Sequence, residues 1–223
     1  DESWLAAESP VLESSIYDGE VYDGRKEIPG WATPECEEKG FVPAEVTEGF
    51  SDRLTPRYSL PLKVMKDVKP VSLITTKAGE TVIDFGQIMS GWVEFYCREK
   101  EGGEVFFQFG EILQDGNFYN ENLRSAKEEY RYISNGKERW VRPHFTFYGF
   151  RYMKVTGITE LRLEDFIGRV IYSEMERTGK ITTSNWKINQ LLQNAFWGQI
   201  GNFLDAPTDC PQQDERMCWT GSA

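Results

Sequence analysis

Histidine is nearly absent from this chain, and cysteine is sparse and scattered. His144 is the single histidine among 223 residues, and it lies in an apolar stretch. Zinc sites need histidine and cysteine in closely spaced groups, so no metal is expected, and no cofactor is predicted. His144 is interpreted as a structural residue rather than as a member of a His-based triad. No Cys-x-x-Cys pair occurs among the four cysteines, which are Cys36, Cys97, Cys210 and Cys218.

Long apolar runs and basic clusters are missing as well. No stretch approaches the roughly 18 apolar residues of a membrane span, and the first residues lack the basic and apolar regions of a leader. The formal net charge is −11 with dispersed Lys and Arg, which argues against nucleic acid as a partner and is compatible with a neutral glycan. The cysteines are too few for a disulfide scaffold, so free thiols and a reducing, cytoplasmic compartment are favoured.

Residues 61–178 have the two-residue alternation of β-strands. Apolar and polar side chains alternate in the runs 92–96 and 151–155, and Gly, Asp or Asn residues separate the runs. This pattern predicts a mainly β protein with an antiparallel, jelly-roll-like β-sandwich in this region. The dipeptide Asn135-Gly136 predicts a β-hairpin. The predicted strands are 81–85, 91–97, 105–110, 130–134, 139–141, 150–156 and 164–172.

Two segments lack this alternation. Residues 1–60 contain Asp-Gly turns, several prolines and an acidic patch, and they are interpreted as the end of an earlier β-domain followed by a linker. Segment 114–126 is too polar and too rich in turn residues for a strand. Loops of this length are often functional, and an ordered Ω-like loop is the alternative.

The period of the pattern changes at Ser184. Apolar residues between 188 and 203 recur on one helical face, which predicts a helix of about 20 residues. Thr183 or Ser184 is placed to cap its start, and the pair at 206–207 is placed to end it. Residues 179–223 therefore begin a third unit after the sandwich.

The last sixteen residues carry the densest set of reactive side chains. They include three carboxylates, Asp209, Asp214 and Glu215, and the aromatic Trp219. A glycosidic bond is cleaved by one carboxyl group that protonates the leaving oxygen and a second that activates water or attacks carbon, while an aromatic face seats the sugar. The composition is therefore typical of a sugar site. In the alternative interpretation, Asp209 caps a turn and residues 214–216 form a solvated ion-pair face.

Four stretches of the sequence resemble one enzyme family. The run from Thr208 to Ala223, TDCPQQDERMCWTGSA, is similar to the signature TDCPQRDERLGWTGDA of the bacterial α-L-rhamnosidases of glycoside hydrolase family 78. Three more stretches agree with the same family, in the family's order. They are Ile16–Arg25 with Gly30-Trp31 after it, Asp84–Gln87 leading into Gly91-Trp92-Val93, and Phe145–Tyr152.

The resemblance implies a fold and a set of site residues. Residues 179–223 would start a catalytic (α/α)6 barrel that is truncated here. By position in the motif, Glu215 matches the general acid, which must hold a proton at working pH, and Asp214 and Asp209 could oppose its ionisation. Asp209 also matches a residue that binds sugar hydroxyls, and Trp219 matches an aromatic wall. Asp214 and Gln213 complete the predicted substrate-binding set.

Three positions depart from the family signature. Gln213 stands where the family usually has arginine, Cys218 where it has glycine, and Ser222 where it has an aspartate that contacts substrate. These changes remove two charge-assisted hydrogen bonds of about 1.5–3 kcal/mol each. Either a changed specificity or a low activity is therefore expected.

The resemblance implies an inverting α-L-rhamnosidase that hydrolyses terminal α-L-rhamnosides of plant or bacterial glycans and glycosides. In the family the general base lies far downstream, so the 223-residue chain is expected to be a fragment that is inactive alone. A carbohydrate-binding β-sandwich without catalysis is the alternative function. A third possibility is a sandwich that only braces the barrel.

Overall fold

One sheet that folds over itself dominates the architecture. The computed structural model describes residues 3–47, 49 and 54–218. Ten strands hydrogen-bond into this sheet in the order β2-β3-β11-β8-β13-β7-β14-β5, with β6 and β12 added along β7. Strands β3 and β11 are parallel, and the other pairs in the sheet are antiparallel.

The described strands of the chain are β1 (Leu5–Ala6), β2 (Val11–Ser15), β3 (Gly19–Asp23), β4 (Val42–Pro43), β5 (Leu62–Val68), β6 (Ser72–Thr75), β7 (Thr81–Cys97), β8 (Glu104–Gly110), β9 (Ile112–Gln114), β10 (Asn117–Tyr119), β11 (Glu129–Ile133), β12 (Arg139–Val141), β13 (Tyr148–Thr156), β14 (Phe166–Ser173), β15 (Phe203–Leu204), β16 (Ala206–Asp209) and β17 (Met217–Cys218). The helix α1 spans Trp186–Gly201, and short 3₁₀ turns lie at Gly24–Lys26, Glu121–Leu123 and Leu163–Asp165.

Strand β7 belongs to both layers of a sandwich. Its first part pairs with β6 and β13, whereas its last part, from Gly91 onward, pairs with β14 and β12. The first layer continues from β13 through β8, β11 and β3 to β2, and the second continues from β14 to β5. The predicted antiparallel sandwich is confirmed, and the predicted strands 81–85 and 91–97 are two parts of one long strand.

Aromatic rings fill the space between the layers. Phe95 of β7 and Phe166 of β14 contact Phe107 of β8, with ring centroids 4.9 and 6.1 Å apart. Phe95 also meets Tyr130 and Tyr132 of β11 edge-on, at 6.5 and 5.9 Å. These five side chains are almost completely buried. Each such ring pair contributes about 0.5–1.5 kcal/mol beyond the free energy that comes from burying its apolar area. This cluster is therefore a main link between the layers.

The N-terminal residues take part in the same sheet. Strand β1 pairs with β4 in a small ribbon, whereas β2 and β3 join the large sheet beyond β11. The buried carboxylate of Glu20 in β3 accepts hydrogen bonds from the backbone N–H groups of His144 and Phe145, at 2.9 and 3.0 Å. The His144 ring stacks on the Tyr22 ring, with the ring centroids 4.8 Å apart. His144 therefore has a structural role in this contact. The sheet crosses the predicted boundary at residue 60, and the division into domains stays a prediction.

The hairpin that the sequence predicts does not form, and a hairpin forms instead at another turn dipeptide. Asn135-Gly136 does not close a hairpin, because β11 already pairs with β8 and β3 on its two edges, and β12 pairs with β7. A hairpin does form at Asp115-Gly116, inside the predicted loop 114–126, where Asn117 lies opposite Gln114. The φ angles of Asp115 and Gly116 are 52° and 82°, which suits a two-residue type I′ turn.

Helix α1 is shorter than predicted. It has 16 residues, and its N-cap is Asn185, whose side chain accepts a hydrogen bond from the Lys187 N–H at 3.0 Å. Thr183 is not the cap, because its N–H and its hydroxyl both contact the Asn189 side chain. The helix ends at Gly201, where Ser90 of β7 donates to the terminal carbonyl at 2.7 Å.

The predicted apolar face of α1 is largely open to solvent. Ile200 is buried, and Phe196 and Trp197 pack against the core, but Ile188 and Leu191 are exposed. Within the described part of the chain, no helix combines the length and the apolar character needed to cross a membrane.

An ion pair joins β7 to β13. The Arg151 guanidinium donates to both carboxylate oxygens of Asp84 at 2.8 Å, and the Gly86 N–H adds a third hydrogen bond at 2.6 Å. The hydrogen bonds from Arg151, opposed by burial, hold the pKa of Asp84 below its usual range. Asp84 is therefore ionised in the folded protein at neutral pH.

We expect Gly91→Ala to destabilise the sandwich by more than about 3 kcal/mol, because a Cβ at this position would lie 1.9 Å from the Arg169 carbonyl oxygen. Urea unfolding followed by tryptophan fluorescence measures the change. Gly179→Ala is the matched control, since a Cβ there meets no atom within 4 Å. Equal unfolding midpoints for the two variants would contradict this account of β7.

We expect Asp84→Asn to lower the free energy of unfolding by about 2 kcal/mol at pH 7. The folded pKa of Asp84 is depressed, so its contribution is present above the unfolded pKa of about 3.9 and is lost as the pH falls through the folded value. The difference between the two proteins should therefore shrink below about pH 4 in urea unfolding series. Asp67→Asn, which removes a carboxylate half exposed beside Arg169, should cost less than about 1 kcal/mol. A gap for Asp84→Asn that is as large at pH 3 as at pH 7 would refute this assignment.

Candidate active site

The C-terminal motif forms a loop that two short strands close. Strands β16 and β17 pair with Asp209 opposite Met217, so the chain between them leaves the strands and returns to them. This loop contains Gln213, Asp214 and Glu215, and Asp209 lies at its start. The structure therefore brings four of the five predicted site residues onto one hairpin. Trp219 lies outside the described residues, as does Ser222.

The segment that follows β10 lies against this loop. Arg124 places its Nη1 atom 2.5 Å from Oε1 of Glu215 and its Nε atom 3.2 Å from Oδ1 of Asp214. The backbone of Arg124 has a φ of 61°, in the left-handed region that is unusual for a residue with a side chain. No motif in the sequence predicts Arg124 as a site residue. The polar composition of segment 114–126, read as a functional loop, was the signal that pointed towards it.

Arg124 gives Glu215 a cationic neighbour rather than only the carboxylates that the sequence suggests. The Glu215 side chain is 41% exposed, and its carboxylate reaches solvent beside the guanidinium. Asp214 accepts a hydrogen bond from the Ser125 hydroxyl. This hydrogen bond, together with the charge of Arg124, holds the pKa of Asp214 below its usual range. Arg124 thus partly neutralises two adjacent anions.

Two glutamines attach the loop to the sandwich. The Gln213 Nε2 atom donates to the Asn122 carbonyl oxygen at 3.0 Å. The Gln212 Nε2 atom donates to Oε2 of Glu111 at 3.1 Å, and the Asn122 side chain donates to the same oxygen at 3.1 Å. Burial raises the pKa of the Glu111 carboxyl, and the two amide hydrogen bonds oppose that rise. The side-chain amide of Gln213 is therefore engaged in a hydrogen bond with the segment that contains Asn122.

Arg216 points into the sandwich. Its Nη2 atom donates to Oε1 of Glu128 at 2.8 Å, and the two side chains are 3% and 0% exposed. The Gly149 N–H donates to the same carboxylate oxygen at 3.1 Å, and the guanidinium lies over the Phe147 ring at 4.3 Å. Burial raises the pKa of the Glu128 carboxyl, and the charge of Arg216 opposes that rise. The interpretation of residues 214–216 as a solvated ion-pair face is therefore wrong for Arg216.

Asp209 lines a groove beside α1. The groove has a volume of about 920 Å³, and Phe196, Ile200 and Phe203 contribute apolar surface to it. Glu215 does not line this groove, so Asp209 and Glu215 face different surroundings. Within the described residues, no group of three or more His, Cys, Asp or Glu side chains is arranged to hold a metal ion.

Cys210, next to Asp209, is a free thiol. Burial raises its pKa, and the negative charges of Asp209, Glu111 and Glu215 raise it further. Because the thiolate is the nucleophilic form of cysteine, Cys210 is a poor candidate for a nucleophile at neutral pH. The carboxylates therefore remain the groups best suited to chemistry on this loop.

Three family models match consecutive parts of the chain. The α-L-rhamnosidase N-terminal domain matches residues 1–66, and the bacterial α-L-rhamnosidase concanavalin-like domain matches residues 74–172. The bacterial α-L-rhamnosidase 6 hairpin glycosidase domain matches residues 176–223.

Individual relatives agree with these models. An α-L-rhamnosidase of Formosa agariphila is 38% identical over 231 residues, which cover 100% of this chain and 25% of the relative. The crystal structure of the Aspergillus terreus α-L-rhamnosidase matches with a TM-score of 0.93 at 35% identity, over 99% of this chain and 26% of that one. The Streptomyces avermitilis α-L-rhamnosidase complexed with L-rhamnose matches with a TM-score of 0.93 at 33% identity, over 99% and 22%.

The sandwich and the carboxylate-bearing hairpin that follows it thus match consecutive regions of α-L-rhamnosidases. The chain belongs to the α-L-rhamnosidase family, as its four sequence motifs predict. It spans about a quarter of the length of the relatives that it matches.

We expect Arg124→Gln to raise the pKa of Asp214 towards its ordinary value, because the substitution removes a positive charge that stabilises the carboxylate. Carboxyl ¹³C NMR titration of the 223-residue chain measures this shift. Lys127→Gln removes the same charge from the same segment, where it faces Asp18, and should leave the Asp214 titration in place. An Asp214 titration that is identical in wild type and Arg124→Gln would show that the ion pair does not form in solution.

Proposed function

We propose that this chain contributes the general acid, Glu215, to an inverting α-L-rhamnosidase that hydrolyses terminal α-L-rhamnosides of plant or bacterial glycans and glycosides. The observation that supports the proposal best is the partly exposed carboxylate of Glu215 on a loop fastened to the sandwich. A general acid must come within hydrogen-bond distance of the leaving oxygen, and an accessible carboxyl on a fixed loop meets that need. The Streptomyces avermitilis relative with bound L-rhamnose supports the choice of sugar.

In the proposed reaction, the Glu215 carboxyl gives its proton to the glycosidic oxygen as the bond to the anomeric carbon breaks. A water molecule, activated by a second carboxylate, attacks that carbon from the opposite face. The two carboxyl groups of an inverting glycosidase stand roughly 6.5–9.5 Å apart to leave room for this water. We propose that the second carboxylate belongs to the part of the relatives that this chain does not span, so the 223-residue chain alone should be inactive.

The ion pair with Arg124 sets a condition on this chemistry. A general acid must bring a carboxyl oxygen within hydrogen-bond distance of the leaving oxygen, and Arg124 already binds Oε1 of Glu215. Arg124 therefore has to release Glu215 before the proton can be transferred. Its second contact, with Asp214 at 3.2 Å, gives the guanidinium an anionic partner to retain when it does so.

The sugar-binding roles proposed for Asp209, Asp214, Gln213 and Trp219 follow from their places in the motif. Carboxylates accept two hydrogen bonds from a vicinal diol, and an indole seats the apolar face of a ring. The family's arginine is missing at position 213, but Arg124 brings a guanidinium to the same loop from the sandwich side. We propose that Arg124 supplies part of the positive charge that Gln213 lacks.

The proposed acid is tested by leaving-group dependence in the full-length polypeptide that contains this chain. We expect Glu215→Gln to lower kcat on an alkyl α-L-rhamnoside by about 100-fold or more, since an alkoxide needs a proton to depart. The loss on p-nitrophenyl α-L-rhamnoside should be much smaller, because p-nitrophenolate is a stable leaving group.

Glu121→Gln is the control for this experiment. It makes the same substitution at an exposed residue of the 3₁₀ turn near the loop, and it should leave both rates unchanged within about 2-fold. Equal losses on the two substrates in Glu215→Gln would contradict the acid role. An unchanged rate on both would remove Glu215 from the mechanism altogether.

A further inference from the structure

Glu128 is a buried carboxylate of the sandwich that the proposed reaction does not use. It lies directly before β11, and its backbone N–H donates to the Tyr17 carbonyl at 3.2 Å. Its own carbonyl accepts a hydrogen bond from the Phe109 N–H of β8 at 3.0 Å. The φ of Glu128 is 49°, so these contacts hold it in a left-handed conformation. Its carboxylate therefore has a position fixed by the sheet.

Arg216 reaches this carboxylate from the loop. It directly follows Glu215 and has a φ of 44°. Its guanidinium lies 4.3 Å from the Phe147 ring and 5.7 Å from the Tyr17 ring, in addition to its hydrogen bond with Glu128. The Tyr17 hydroxyl donates to the carbonyl oxygen of Glu215 at 3.3 Å. The sandwich thus hydrogen-bonds both to the backbone of Glu215 and to the side chain of Arg216.

The burial of this ion pair is costly, and its compensation is incomplete. Oε2 of Glu128 and the Nε and Nη1 atoms of Arg216 are buried without a hydrogen-bond partner among the described residues. A buried ion pair with unpaired atoms contributes little to stability compared with apolar residues of the same volume. It does determine position, because a buried guanidinium is strongly disfavoured anywhere but beside its anion.

The sheet also touches the loop through its backbone. A Cβ at Gly149 of β13 would lie 2.7 Å from the Cβ of Gln212, so the absence of a side chain lets the loop approach. The Gly149 N–H is at the same time a donor to Glu128. The carboxylate of Glu128 therefore connects β13, where the loop rests, with Arg216.

We propose that Glu128 is a positioning residue for Glu215 and acts through Arg216. This inference rests on the proposed role of Glu215 as general acid. The sandwich then does more than support the catalytic part of the enzyme, since it supplies the anion that sets where the acid stands. An error of about 1 Å in the place of a reacting group costs up to about 100-fold in rate.

The test compares Glu128→Gln with Glu215→Gln in the full-length polypeptide. We expect Glu128→Gln to lower kcat by about 10- to 100-fold on an alkyl α-L-rhamnoside and by less than about 3-fold on p-nitrophenyl α-L-rhamnoside, because a misplaced acid matters most where protonation is needed. A loss of folded protein would lower both rates by the same factor. The ratio of the two losses therefore separates positioning from stability.

A double variant, Glu128→Gln with Arg216→Met, covers the case in which the single variant folds poorly. It removes both charges, so it should unfold close to the wild-type temperature and still show the leaving-group-dependent loss. Asp165→Asn is the matched control, since Asp165 is another nearly buried carboxylate paired with an arginine, Arg98. This control should lower the unfolding temperature without changing the ratio of the two rates.

A second readout uses the 223-residue chain itself. Hydrogen exchange of peptides that span residues 209–216 should accelerate in Glu128→Gln and in the double variant, and should not accelerate in Asp165→Asn. The inference would be overturned if, in the Glu128 variants, these peptides exchanged at the wild-type rate and kcat fell by the same factor on both substrates. If Glu215→Gln itself shows no leaving-group dependence, the proposed function fails instead, so the two failures are distinguishable.

Discussion

A charge taken out of water must be met by an opposite charge, and the enclosed contact between Glu128 and Arg216 imposes this rule on the C-terminal loop. If the loop lifted away, it would leave a carboxylate in the sandwich without its cation. Other attachments also run from the loop to the sandwich, among them Gln212 on Glu111 and Gln213 on the Asn122 carbonyl. The place of the loop is therefore determined largely by residues that precede it by almost a hundred positions.

The four motifs that resemble the rhamnosidase family meet in one network of contacts. Tyr17 from the first motif and Phe147 from the third both lie against Arg216 from the fourth. The second motif contributes Asp84, which binds Arg151 of the third. The first, third and fourth motifs thus meet where the loop contacts the sheet, and the second motif is bound to the third within the sheet.

The alternation of side chains is enough to predict the sandwich, because burial between two layers requires it along every strand. Hairpins are harder, since an Asn-Gly or Asp-Gly pair favours a turn without choosing the partner strand. At Asn135-Gly136 both edges of β11 were already occupied, whereas at Asp115-Gly116 the short strands were free to pair. The prediction that Glu215 is the general acid comes from resemblance to a motif.

Arg124 and Glu128 could not be found in this way. They contact residues 91 and 88 positions away, and no local pattern encodes such a contact. The composition of segment 114–126 carries only the general indication that a polar loop is present.

Strand β7, which both layers share, affects how the whole sandwich unfolds. Because the same backbone is hydrogen-bonded into both layers, neither layer can open and leave the other intact. The sandwich should therefore behave as one cooperative foldon, with a single unfolding transition rather than a sequence of partial ones.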